Sequence, residues 1–145
     1  MKKEEYLADL TNHLNEQIYS VSFNKFKDGY YADSVESACK KINEYLKELY
    51  KDKYGTEKDG DSLFCSCLSD KEDVNLFSLD DLKTQNGKDE QSGYMFLLKG
   101  MWRAMRNPKA HNNLRLSIDE AYDRLIFISM LMKRMEKAYN KLQAE

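Results

Sequence analysis

The sequence predicts an all-α protein: a helical bundle of four to five main helices, with a long, partly ordered insertion between helices 2 and 3. Three observations carry this. Apolar residues recur at steps of three and four over most of the chain, the signature of one helical face. The composition, 41% apolar and 33% charged with one proline in 145 residues, suits helices with one buried and one solvated side. Strong turn residues are confined to a few places, chiefly residues 55–92.

The first helix is expected from Lys3 to Phe26, on the spacing of Leu7, Leu10, Leu14, Ile18 and Val21, with Lys27-Asp28-Gly29 ending it. The second spans Tyr31 to Lys53. Its apolar side is Ala32, Val35, Ala38, Ile42, Leu46 and Leu49, and Gly55 stops it. A short turn between them makes an antiparallel hairpin. Residues 55–92 hold three glycines, many Asp, Asn and Ser, and two apolar patches, Leu63 to Leu68 and Val74 to Leu82. The patches are too apolar for a free linker, so one or two short helices packed on the core are expected.

The third main helix fits Tyr94 to Arg106. Leu97, Leu98, Met101, Trp102 and Met105 form an apolar stripe, with Lys99, Arg103 and Arg106 on the opposite side. Pro108 breaks it, because the residue before a proline avoids helical geometry. Ser117-Ile118-Asp119-Glu120 has the form of a capping box and opens a final helix to about Gln143. That helix is apolar over much of its circumference, which suggests burial on more than one side, one of them against a second subunit or within a tight monomer. The whole chain, 1–145, reads as a single domain. No apolar run reaches the length of a membrane span and the N-terminus carries no signal-peptide pattern, so no membrane association and a cytoplasmic location are expected.

Cys39, Cys65 and Cys67 are an odd number with no framework for disulfides, and are read as buried thiols. Cys65 and Cys67 lack a second ligand pair, so no metal and no cofactor is expected. Asp59 and Asp61, or Asp80 and Asp81, are read as solvated charge with no role. The sequence has no phosphate-cradling glycine loop, no nucleophile elbow and no paired-histidine zinc helix.

Charge is unevenly placed. Between Gly93 and Ile118 stand Lys99, Arg103, Arg106, Lys109 and Arg115 with no Asp or Glu. The formal net charge of −2 then leaves −7 for the remainder (−2 minus +5). Within that basic stretch lies Arg106-Asn107-Pro108-Lys109-Ala110-His111. An imidazole exchanges protons near neutrality, whereas a guanidinium offers a fixed charge and a fork of donors matched to phosphate oxygens. Across the Asn-Pro break the two side chains can converge on one phosphodiester, with Asn107 as a neutral donor or an orienting group. Such a trio suits attack of a ribose 2′-hydroxyl on its adjacent phosphate, chemistry that requires a base, charge stabilisation and in-line positioning. Residue types and spacing by themselves favour a structural account, with Arg106 capping helix carbonyls and His111 a satisfied polar group.

The Arg-x4-His pattern with a polar residue after the arginine resembles the signature of the HEPN superfamily. The fuller string from Gly100 to His111 is similar to the Ymh-like group within it. Gly29-Tyr30-Tyr31-Ala32 with Ala38, Asp59-Gly60 with Leu63-Phe64, and Asp119-Glu120-Ala121 also match, in order, over roughly Phe26 to Ala138. The resemblance implies a helical bundle that pairs so that two motif copies face each other across a cleft. It also implies a metal-independent endoribonuclease of toxin or phage-defence type, with an antitoxin or a fused or neighbouring partner. Arg106 would hold the scissile phosphate, His111 would act as base or acid, and Asn107 would be their polar companion. Lys99, Arg103, Lys109 and Arg115 would hold the RNA backbone. Some members of the superfamily have lost catalysis, and the alternative is a non-catalytic helical module that binds RNA or protein, or dimerises.

Overall fold

Two long helices organise the bundle in the computed structural model, which describes residues 1–106 and 115–145. The described residues form α1 (Lys3–His13), α2 (Glu16–Lys27), α3 (Tyr31–Tyr54), α4 (Gly60–Cys67), α5 (Gln85–Met105) and α6 (Ile118–Ala144), with no strand among them. The chain is thus an all-α bundle. Helix α3 packs against α2, α4, α5 and α6, and α6 packs against α1, α2, α3 and α5. Their shared seam includes Val35, Ile42, Leu46, Leu125, Ile128 and Met132, all fully buried. Each such aliphatic side chain contributes about 1.5–3 kcal/mol through removal from water.

The single N-terminal helix expected from Lys3 to Phe26 is two helices. Leu14 takes an extended conformation, and the Asn15 side chain accepts from the backbone N–H groups of Gln17 (2.9 Å) and Ile18 (3.2 Å), starting α2 afresh. Asn15 is held from across the bundle as well. Its backbone N–H donates to the buried Ser129 hydroxyl at 2.7 Å, and its amide donates to Glu136. Leu10, Leu14 and Ile18 continue one apolar face through the break, so periodicity alone conceals it.

Helix α3 ends at Gly55, whose left-handed φ of +74° closes the helix with an N–H bond to Lys51 O. Asn43, buried in α3, then fastens the next segment: its amide donates to Asp59 and its carbonyl oxygen accepts from Gly60 N–H at 2.9 Å, fixing the start of α4. The irregular stretch after α4 buries Leu76, Phe77, Leu79 and Leu82. Gln91, wholly buried, accepts from Leu79 N–H and donates to Phe77 O and Ser69 O. These bonds satisfy backbone groups that no helix serves.

Helix α5 starts at Gln85, capped by the Thr84 hydroxyl, well before the expected Tyr94. Its first turns are polar and held by Gln91 and by the Glu90–Arg134 pair (2.7 Å) rather than by an apolar stripe, which is why the spacing does not reveal them. A second correction concerns Leu97, which faces outward at 40% exposure beside Phe96 at 62%. Leu98 and Met101 are buried, and Trp102 and Met105 pack beside them. The capping box of α6 is formed: Ser117 and Glu120 exchange side-chain to backbone bonds at 3.1 Å. Much of the apolar circumference of α6 is covered by its four neighbouring helices, while Met130 and Leu142 stay exposed. No described helix is long and apolar enough to cross a membrane.

Candidate anion site at the end of helix α5

The last turns of α5 carry Trp102, Arg103 and Arg106. Residues four apart on a helix lie over one another, and the Arg106 guanidinium rests on the Trp102 ring, 4.2 Å from its centroid. Trp102 is itself held. Phe64 meets it edge-on at 5.9 Å and 82°, and Gly60 of α4 lies directly beneath its indole. Gly60 has a φ of +57°, and a Cβ there would stand 2.5 Å from the indole Nε1. A glycine is required for both reasons.

Arg106 is half-buried, and its Nε is buried with no hydrogen-bond partner among the described residues. Arg103, three residues earlier and more exposed, has a partner: its Nε and Nη2 both donate to Asp61 Oδ2, the first at 2.7 Å. This pair raises the Arg103 pKa further above its ordinary value, chiefly through the hydrogen bond. The other Asp61 oxygen is buried and unpartnered. Asp61 therefore has a definite place in the site, which corrects the reading of it as idle solvated charge. Asp59 also has fixed partners, Asn43 at 3.1 Å and Lys47 at 3.2 Å, which hold its carboxyl below the usual range. Asp59, Gly60, Asp61, Trp102, Arg103 and Arg106 line one open groove.

A second arginine, Arg124 of α6, is half-buried, and its Nη1 is buried without a hydrogen-bond partner among the described residues. Its charge and that of Arg106 both act on Cys39 of α3. Burial pushes the Cys39 thiol up to about 12, against the opposing pull of the Arg124 and Arg106 charges. The thiol is neutral at physiological pH and forms an inert wall.

Of the residues singled out from the sequence, Arg103 and Arg106 lie together in the groove. Lys99 lies one turn earlier on α5, its ammonium 5.9 Å from the Phe96 ring. Arg115 is exposed and lines a different groove, with Tyr30, Tyr31 and Leu116. Asn107, Lys109 and His111 lie outside the described residues. Sequence reasoning missed Trp102 as a platform, Asp61 as an ion-pair partner, and Arg124. The four-residue spacing of Trp102 and Arg106 was the available signal for the first. Nothing local marks Arg124. Among the described residues, no three His, Cys, Asp or Glu side chains gather to hold a metal ion.

Fold and groove together define a helical-bundle protein with two arginines, Arg103 and Arg106, lining an open groove at a helix end. The family described as "Protein of unknown function (Hypoth_ymh)" matches residues 12–135, and the chain belongs to it. No curated protein and no solved structure matches the chain.

Proposed function

We propose that this chain is a HEPN-type, metal-independent endoribonuclease, working as a homodimer in a toxin or phage-defence setting. The observation that carries the reading is Arg106: a guanidinium oriented on Trp102, with a buried donor that no group among the described residues satisfies. A buried donor without an acceptor is costly, and a phosphate oxygen supplies one. In this reading Arg106 holds the scissile phosphate and His111 takes the proton of the ribose 2′-hydroxyl. The hydroxyl oxygen bonds to phosphorus, the 5′-oxygen leaves with a proton, and a 2′,3′-cyclic phosphate remains. Asn107 orients the imidazole, and Lys99, Lys109 and Arg115 attract the backbone. Arg103 contributes less than its charge suggests while Asp61 neutralises it.

Pairing is assigned to α5, where Phe96 and Leu97 are exposed between Gly93 and Gly100, two positions open enough for close helix approach. The same exposed face favours a second reading, a non-catalytic module that docks a partner helix.

The test is incubation of the protein with end-labelled RNA in EDTA, beside His111→Ala and Arg106→Ala. The nuclease reading expects cyclic-phosphate ends from the parent protein alone. Intact RNA across several substrates, together with harmless over-expression, would hand the case to the binding module. Sedimentation at a mass near 17.1 kDa at high concentration would contradict pairing.

A further inference from the structure

Tyr30 is 62% exposed, yet its backbone is fixed. Its N–H donates to Lys25 O at 2.8 Å, and that of Gly29 donates to Phe26 O at 3.0 Å. Gly29 allows this turn through a left-handed φ of +88°. The next ring is used differently: Tyr31 is half-buried and meets Phe26 edge-on, with 5.1 Å between centroids and 68° between planes. Tyr30 and Tyr31 share one groove with Arg115, which belongs to the segment leading into α6, and with the buried Leu116. The groove offers about 380 Å³ open to solvent, the scale of a small-ligand pocket. Its charges are mixed. Arg115 supplies one exposed positive charge, and Asp33 sets a carboxylate against it. A bare anion gains little from a groove whose charges offset one another. A planar heterocycle joined to a phosphate fits better: the heterocycle stacks on an aromatic face, and the guanidinium donates to the phosphate oxygens. Only an unpaired base is free to stack in this way, because a duplex keeps its bases stacked on one another.

We propose that this groove is a base-stacking subsite for single-stranded RNA, in which one unpaired base lies on Tyr30 and Arg115 holds the phosphate of the same nucleotide. The proposal rests on the nuclease reading of Arg106 and adds a second point of contact along the strand. Arg115 follows Arg106 by nine residues (115 minus 106), so the covalent chain keeps their Cα atoms within about 30 Å of each other. At roughly 3.4 Å per nucleotide, a strand of about ten nucleotides covers that span. The pinned turn sets the ring in place before a strand arrives, so little freedom is lost on stacking.

The experiment measures binding, separately from cleavage. The probe is an end-labelled, 2′-O-methylated oligoribonucleotide of about ten nucleotides, which lacks the attacking hydroxyl, and fluorescence anisotropy is the readout. The full chain is compared with Tyr30→Ala, Tyr30→Phe, Tyr30→Leu, Arg115→Ala and Arg106→Ala, each with a thermal melt. Tyr30→Ala is expected to weaken binding about tenfold, the worth of one stacked base. Tyr30→Phe keeps the ring and should bind like the parent protein. A fully paired RNA duplex should not register the Tyr30→Ala change, since its bases are already stacked. In a salt titration Tyr30→Ala should leave the slope of log affinity against log salt unchanged. Arg115→Ala should flatten that slope by about 0.7, one phosphate contact on a single strand. If Tyr30→Ala binds like the parent protein while Arg106→Ala does not, the subsite is wrong and the Arg106 reading survives. If Tyr30→Ala loses affinity and Arg106→Ala does not, the subsite stands and the Arg106 reading falls. No binding by the parent protein overturns both. An equal loss on duplex and single strand overturns stacking, and a parental slope in Arg115→Ala overturns its phosphate contact. A nucleoside monophosphate that binds as tightly as the oligonucleotide overturns a strand as the ligand. Should Tyr30→Ala melt below the parent protein, Tyr30→Leu decides: a loss of about threefold or more at unchanged melting temperature supports the ring contact, and parental affinity refutes it.

Discussion

Replacing Gly60 by alanine probes the support beneath the arginine site, and its cost follows from two separate penalties. The backbone at Gly60 is left-handed, with φ at +57°, which costs a residue with a Cβ about 1 kcal/mol. The new methyl would also stand 2.5 Å from Trp102 Nε1 and 3.1 Å from Cδ1, against 3.4–4 Å for ordinary contact. Trp102 cannot tilt freely, because Phe64 meets it edge-on and Arg106 covers its face. Overpacking of this kind costs about 1–3 kcal/mol. The expected total is about 2–4 kcal/mol, or roughly 6–15 °C in melting temperature for a chain of this size. Gly55→Ala separates the two penalties. Its φ is +74° but nothing lies within 4 Å of the added methyl, so only the backbone cost of about 1 kcal/mol applies. Urea unfolding followed by circular dichroism and by tryptophan emission measures both variants. Gly60→Ala should be the less stable by about 1–3 kcal/mol and should alter the native emission, whereas Gly55→Ala should not. Equal stability of the two, with unchanged emission, would refute the packing of Trp102 on Gly60 and with it the platform for Arg106.

Asn15→Ala removes the cap of α2 and a part-buried tie to Glu136 of α6, and should cost about 2 kcal/mol in urea unfolding, the sum of a cap and one hydrogen bond to a charged group. Of the three thiols, Cys39 and Cys67 are buried and pushed up to about 12 by burial, and Cys65 is half-buried. A disulfide reagent at pH 8 should therefore label one thiol promptly and the other two only on unfolding; prompt labelling of all three would contradict the packing of α3 and α4. For Asp59, hydrogen bonds from Asn43 and Lys47 lower the folded carboxyl below its unfolded value. Its stabilising contribution is thus present above the unfolded pKa and lost as pH falls through the folded one. Asp59→Asn should melt below the parent protein at pH 7 and alongside it near pH 2, and a gap that persists into acid would show that the charge is not responsible.

What the sequence made legible is what depends on near neighbours. Helices α3 and α6 carry unbroken apolar stripes and local stop and start signals, Gly55 and Ser117 with Glu120, so their limits could be read closely. The break at Asn15 could not, because its decisive partners, Ser129 and Glu136, lie at the far end of the chain. The start of α5 was hidden for the same reason: Gln91 serves backbone groups of a distant loop, and its polarity looked like that of a surface. In the site, Arg106 was visible as a cation at a helix end within an acid-free stretch. Arg124 was not, since Asp123 beside it and the apolar run after it make it resemble any solvated helix charge. Its buried, unpartnered nitrogen exists only once α6 is laid against α3.

Arg103 and Arg106, one turn apart, illustrate why charge counting along a helix is a poor guide to where an anion binds. Arg103 and Asp61 form an exposed pair, the arginine side chain 67% accessible, and solvent screens most of their attraction. An arriving phosphate must still compete with a carboxylate already seated there. Among the described ion pairs, Arg106 has no such competitor. Its plane is set by Trp102 before any ligand arrives, so less rotamer freedom is lost on binding, and its buried Nε gains an acceptor rather than exchanging one. Asp61 therefore does more than neutralise Arg103. By occupying the more accessible arginine it leaves the pre-oriented one, Arg106, as the anion point that the proposed nuclease reading requires.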